Sequence, residues 1–223
     1  MNNKTQNSAA PKFAVCISKE ELNALPPEKF EGEIITVSNV AEADKAIREL
    51  EKAPMIGFDT ETKPNFHKGQ LNKVALLQLA TEDKCYLFRL SKIGITESIK
   101  GFLENENIHK IGLSLRDDFH SLSRWREITP GGFTDIQEIV KDFLITDSSL
   151  TKIHSILFGK RISKSQQLTN WEASSLTQKQ KEYAALDAIA CINIYKHLKS
   201  GKFIPEESPY YKQLPEENGE KKV

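Results

Sequence analysis

Asp59 and Glu61 are separated by one residue at the end of the apolar run 55–59. On a strand, the two-residue period sends both side chains to the same side. Two carboxylates held together repel and raise each other's pKa, and a divalent cation keeps both ionised. Taken alone the pair favours the bland reading, a solvated strand end. Asp187 changes that balance, because it belongs to a helical stretch whose Leu186, Ile189, Ala190 and Ile194 mark a buried side. Tyr183 precedes it by four residues, so the phenol and the carboxylate share one helical face and the hydroxyl can reach a water held near the acid. A fourth acid has to come from 110–122, where Asp117 and Asp118 are neighbours. On a helix beginning near Asp117, that residue suits an N-terminal cap, whereas Asp118 lies four residues before apolar Leu122. Asp118 is therefore assigned to the metal, with Asp117 as the fallback.

Four carboxylates make an oxygen-only ligand set, which suits Mg²⁺ or Mn²⁺. Two such ions about 4 Å apart would stabilise both the attacking and the departing oxygen of an in-line displacement at phosphorus. Tyrosine, with an ordinary pKa of about 10, is a poor general base. The expected division of labour leaves water activation to the metal and gives Tyr183 the task of orienting that water.

The elements that must position these groups alternate along the chain. Strands are expected at 33–37, 55–59, 74–80, 85–88, 108–113 and around Phe133. Helices are expected at 40–52, opened by Asn39 with Glu42, at 96–103, 117–125, 136–143 and 150–158, the last stopped by Gly159. The longest helix runs from a second capping box, Thr177 with Gln180, to about 198. Three strands in succession, then strands separated by helices, imply an α/β fold in three layers with helices on both faces of a mixed central sheet. Residues 1–30 and 201–223 lack periodicity, and are expected to form a loosely held arm and a polar tail around a catalytic domain spanning 31–200.

The 223 residues suffice for one sizeable core, and 39% hydrophobic against 28% charged content argues against disorder, collagen or coiled coil. Thirty-one basic residues balance 31 acidic ones, so any nucleic-acid surface must be local. Cys16, Cys85 and Cys191 are odd in number and lack zinc spacing, which fits a reducing interior. No apolar stretch approaches the roughly 20 residues of a membrane span, and the start is not signal-like. The expected location is the cytoplasm of a bacterium or, in a eukaryote, the nucleus.

The stretches 58–61, 112–122 and 183–187 together resemble the three exonuclease motifs of the DEDD superfamily, and Tyr183 points to its DEDDy branch. The similarity continues through 73–79, 84–88 and 157–171 and covers roughly residues 33–200. Werner-type exonuclease domains are the nearest match, with ribonuclease D more distant. Each motif alone is weak, but three in order at the right intervals are specific. The resemblance implies a ribonuclease-H-like fold, two Mg²⁺ or Mn²⁺ ions, and release of nucleoside 5′-monophosphates from the 3′ end of a single-stranded or recessed nucleic acid. It also implies that Glu61 lies near the terminal 3′-hydroxyl. Werner-type domains tend to carry Trp and paired prolines where this chain has 62–68, and Trp where it has His120, which bears on substrate preference rather than on chemistry.

For substrate contacts, Phe66 could stack on a terminal base, worth about 1–3 kcal/mol for single strands, or equally be a loop residue packed on the core. Leu77 and Gln78 fall beside the first motif, where the family wedges an apolar residue against the last base. Lys164 with Ser165 is similar to a family segment near the site and is expected to hold the phosphate backbone. The other basic residues, Lys63, Lys68, Lys73, Arg116, Arg124, Arg126, Lys160 and Arg161, read mostly as solvated charges, and Trp171 as structural. DNA is the favoured substrate. An RNA-processing enzyme of ribonuclease D type is the alternative, and a non-catalytic binding module, which should lack one of the acids, is a weaker one.

Overall fold

The computed structural model describes residues 12–64 and 72–214. Its main sheet has six strands: β2 (Glu33–Val37), β3 (Ile56–Thr62), β4 (Val74–Ala80), β5 (Lys84–Phe88), β6 (Lys110–Gly112) and β7 (Phe133–Asp135), in the order β2-β5-β4-β3-β6-β7. β4 runs antiparallel to both β3 and β5, whereas the β2–β5, β3–β6 and β6–β7 pairs are parallel, so the sheet is mixed as expected.

Helices cover both faces. α2 (Val40–Leu50), α4 (Glu97–Glu104) and α5 (Leu115–Leu122) pack Ile47, Leu50, Ile99, Phe102 and Leu122 over Phe58, Leu77, Leu79 and Phe88. On the other face α8 (Gln178–Lys199) lays Ala184, Ala185 and Ala188 over Ala75, Leu76, Ala80 and Leu87. The small residues let helix and sheet approach closely. At Gly57 a Cβ would overlap the Ala188 carbonyl oxygen, so only glycine admits α8 so near β3. At one end of the sheet, α6 (Ile136–Ile139), a following 3₁₀ turn (Val140–Phe143) and α7 (Leu150–Phe158) close a third core around Ile111, Ile153 and Ile194. A short α3 (Leu90–Ile93) follows β5.

Two expectations need correction. The helix expected at 117–125 is α5, which begins two residues earlier and has Ser114, not Asp117, at its N-cap. Ser114 takes the left-handed conformation (φ 60°), and the Asp135 carboxylate accepts hydrogen bonds from Ser114 N (3.2 Å) and Leu115 N (2.9 Å). The start of the helix is thus set by an acid from another strand, a long-range cap that local spacing does not report. The second correction concerns the arm and tail. Residues 13–15 form β1 and 211–213 form β8, which pair antiparallel with the Phe13 and Tyr211 rings stacked at 5.1 Å. α1 (Lys19–Ala24) carries a Ser18–Glu21 capping box, and Val15 and Ile17 are core residues. Neither segment is periodic enough to stand alone, but each satisfies the other's backbone.

Candidate active site

The first pair of acids stands where the strand period puts it. β3 is flanked by β4 and β6, with Asp59 opposite Gln78 and Glu61 opposite Leu76. Both carboxylates face α8, whose close approach at Gly57 carries Asp187 to them. Among the described residues, oxygens of Asp59, Glu61 and Asp187 lie within 4.8 Å of one another, and Glu61 and Asp187 are each 7% exposed.

This crowding reshapes the acids. Burial, then the charges of Asp187 and Asp118, push Glu61 up to about 9. Burial and the other three acids hold Asp59 well above the usual carboxylate range. Asp187 rises to about 7 through burial, partly offset by the Tyr183 hydroxyl and the Lys164 ammonium. Buried acids with so little compensating positive charge fit a divalent cation, since oxygen-rich anionic sites are what hard cations select. Asp59, Glu61 and Asp187 could hold one directly.

Asp118 stands apart. It lies on α5 and accepts a hydrogen bond from Thr60, which alternates with Asp59 and Glu61 along β3, while its charge still acts on both of those acids. Burial lifts it to about 7, against the lowering effect of Thr60. Asp117 is exposed and its nearest cation is Arg116 at 3.9 Å, so of the two neighbours only Asp118 turns toward the site.

Tyr183 reaches the same cleft of about 380 Å³, which Asp59, Glu61, Asp187 and Lys164 also line. Its ring stacks on Trp171 with centroids 6.1 Å apart, and Trp171, fully buried, donates from its indole nitrogen to Gln167 O at 3.3 Å. Burial, followed by the charges of Asp187 and Glu61, raises the Tyr183 phenol far above its ordinary value, so it stays protonated. Ser165 lines an adjoining depression that also reaches Tyr183.

Leu77 and Gln78 do not reach any substrate surface. Both are fully buried, because β4 is an interior strand covered on both faces. Leu77 belongs to the core under α2 and α4, and neither amide atom of Gln78 has a hydrogen-bond partner among the described residues. Phe66 and Lys68 lie outside the described residues. Most of the remaining basic residues are engaged elsewhere: Lys63 with Glu172 (3.2 Å), Arg126 with Glu97 (2.9 Å), Lys160 with Glu28 (3.0 Å), and Lys73 over the Trp125 ring.

Sequence reasoning missed Thr60, Gly57, and the pair Asp135 and Gln137. Asp135 caps both α5 and its own helix, accepting from Gln137 N at 2.9 Å, while the Gln137 amide donates to Ser114 Oγ at 2.7 Å. An aspartate just before the helical run at 136 was the available signal.

The 3′-5′ exonuclease family profile matches residues 34–201. The chain belongs to that family of enzymes. It is of the DEDD type, with a ribonuclease-H-like fold. It is 30% identical over 210 residues to the mouse bifunctional 3′-5′ exonuclease/ATP-dependent helicase WRN, covering 89% of this chain and 15% of the mouse protein. Among solved structures, the Nibbler EXO domain of Aedes aegypti superposes with a TM-score of 0.70 at 22% identity, over 81% of this chain and 96% of that one. Ribonuclease D of Trypanosoma brucei in complex with RNA U12 gives 0.68 at 20% identity, over 79% and 65%. At these identities the structures speak for the fold.

Proposed function

We propose that this chain hydrolyses phosphodiester bonds from the 3′ end of nucleic acid, with DNA as the favoured substrate, releasing nucleoside 5′-monophosphates. The observation that carries the reading is the meeting of Asp59, Glu61 and Asp187 oxygens within 4.8 Å, in a cleft shared with Tyr183 and Lys164. Asp59, Glu61 and Asp187, joined by Asp118 from α5, would hold two divalent cations, Mg²⁺ or Mn²⁺, which when bound supply Lewis acidity to the attacking water and the departing oxygen. The chain's own groups do the rest. Tyr183 keeps its proton and so steers the water by a hydrogen bond instead of deprotonating it. Trp171 fixes the ring that carries this hydroxyl. Lys164 places a positive charge at the cleft for the scissile phosphate, where charge-assisted contacts are strong. Glu61 takes the contact with the terminal 3′-hydroxyl that the resemblance implies.

DNA is supported by the likeness to Werner-type domains. RNA is the second reading, favoured by the fold shared with a ribonuclease D whose structure contains RNA. The test uses matched DNA and RNA oligonucleotides, single-stranded and recessed, labelled so that single-nucleotide release is visible. Cleavage is expected in Mg²⁺ or Mn²⁺, abolished by EDTA and by Asp59→Ala. Intact oligonucleotides at high protein concentration in Mn²⁺ would refute the enzyme, and faster loss of RNA would reverse the substrate preference.

A further inference from the structure

The N-terminal segment does more than pack. Residues 25–28 dock along 161, with Glu28 N donating to Arg161 O and Arg161 N to Pro26 O, both at 2.9 Å, and the Arg161 guanidinium donating to Leu25 O at 3.1 Å. This anchoring carries Lys29 and Phe30 to the flank of α8. There they face Ser163, Ser165 and Lys179 across a groove of about 430 Å³ that ends on Tyr183. Tyr183 also lines the acidic cleft, so the groove and the cleft adjoin at its ring.

The chemistry of the walls is that of a single-strand site. Phe30 is only partly buried against the α8 core and supplies an apolar, aromatic wall. Lys29 and Lys179 are exposed, and neither pairs with an acid among the described residues. The two acids on the same walls are already engaged: Glu28 with Lys160 at 3.0 Å, and Glu182 accepting from the Gln178 amide at 2.9 Å. With Glu28 neutralised by Lys160, the two unpaired lysines outweigh the single remaining charge of Glu182, and with one aromatic face they suit a polyanion whose bases need an apolar contact. Ser163 and Ser165 add hydroxyls of the kind that position a phosphate backbone.

We propose that this groove, one wall of which is the docked N-terminal segment, binds the substrate strand upstream of the nucleotide being removed, with Lys29 and Lys179 on its phosphates. The inference rests on the exonuclease reading above and extends it from the reacting end to the strand behind it. It makes residues 25–30 part of the substrate-binding surface, although they precede the region matched by the family profile.

The experiment compares the unaltered chain, the double variant Lys29→Glu with Lys179→Glu, and Lys52→Glu as a control for charge alone, since Lys52 is exposed just beyond α2 on the opposite face of the sheet. Two substrates are used: a 12-nucleotide single strand and thymidine 5′-(p-nitrophenyl phosphate), which has no phosphate upstream of the scissile one. The double variant is expected to raise KM for the 12-mer at least tenfold, with a far smaller change on the short ester, and Lys52→Glu to change neither. The salt dependence of 12-mer binding, measured by fluorescence anisotropy, should become shallower by about 0.7 in log–log slope per lost phosphate contact. Equal losses on both substrates, no loss on the 12-mer, or an equal loss from Lys52→Glu would overturn the groove and leave the nuclease standing. If the unaltered chain cuts neither substrate in Mg²⁺ or Mn²⁺, the nuclease reading itself fails, and anisotropy still decides whether the lysines bind the strand.

Discussion

On one side of the acidic cleft, Asp59, Glu61 and Asp187 are carried by an interior strand and a 22-residue helix whose contact is so close that Gly57 has no room for a side chain. On the other side Asp118 rides an eight-residue helix that starts through left-handed Ser114, and its carboxylate bonds Thr60 instead of its three counterparts. The first group is held by packing on both faces of the sheet. The second is held by hydrogen bonds that Asp135 accepts from Ser114 N and Leu115 N and one that the Gln137 amide donates to Ser114 Oγ, and its acid has a protein partner to exchange for a cation. A cleft built this way has a rigid wall and an adjustable one.

The sharpest test of the rigid wall is Asp187→Asn. Losing a carboxylate from the packed trio should lower kcat by about a thousandfold, the equivalent of several kcal/mol of transition-state stabilisation. A loss under tenfold would mean that the trio is not the reacting centre. On the adjustable wall, Asp118→Asn should lower kcat/KM by about a hundredfold, whereas Asp117→Asn should change it less than twofold. The opposite ranking would return the fourth role to Asp117.

Asp135→Ala removes the cap shared by two helices and should destabilise the fold by about 1–2 kcal/mol in urea unfolding. It should also raise the Mn²⁺ concentration needed for half-maximal activity, since Asp118 loses its support. Unchanged metal dependence at reduced stability would confine Asp135 to folding. A further effect is in the pH dependence of the metal-free protein. The unfolded chain releases its carboxyl protons near pH 4, while the folded protein keeps them to about 7 at Asp118 and Asp187 and about 9 at Glu61. Folding therefore binds protons in this window, and stability is lost as pH rises from about 4 to 9. Mn²⁺ should restore it, by a few degrees of Tm at pH 8 and by less at pH 5. A stabilisation independent of pH would argue against binding at these acids.

The elements that were legible in the sequence are those defined by local periodicity. The strands at 33–37 and 74–80 match their expected bounds, as does the helix at 150–158, and the long helix opens at the Thr177 capping box. The pairings of Asp59 with Glu61 and of Tyr183 with Asp187 follow from strand and helix geometry within a few residues. Leu77 and Gln78 went wrong because a run of apolar residues does not say whether its neighbours bury it on one face or two. The arm and tail were misread because β1 and β8, nearly 200 residues apart, become strands only by pairing with each other.

By itself the sequence determined which acids and which tyrosine are present, their order, and which of them share a face, since these depend on backbone periods that each segment carries alone. The tertiary structure alone decided that three acids meet while Asp118 bonds Thr60, that Asp135 starts the helix bearing Asp118, and that residues 25–30 wall a groove beside Tyr183. Each of those outcomes depends on contacts between segments distant in the chain, where close packing, long-range hydrogen bonds and burial act and local spacing carries no record of them.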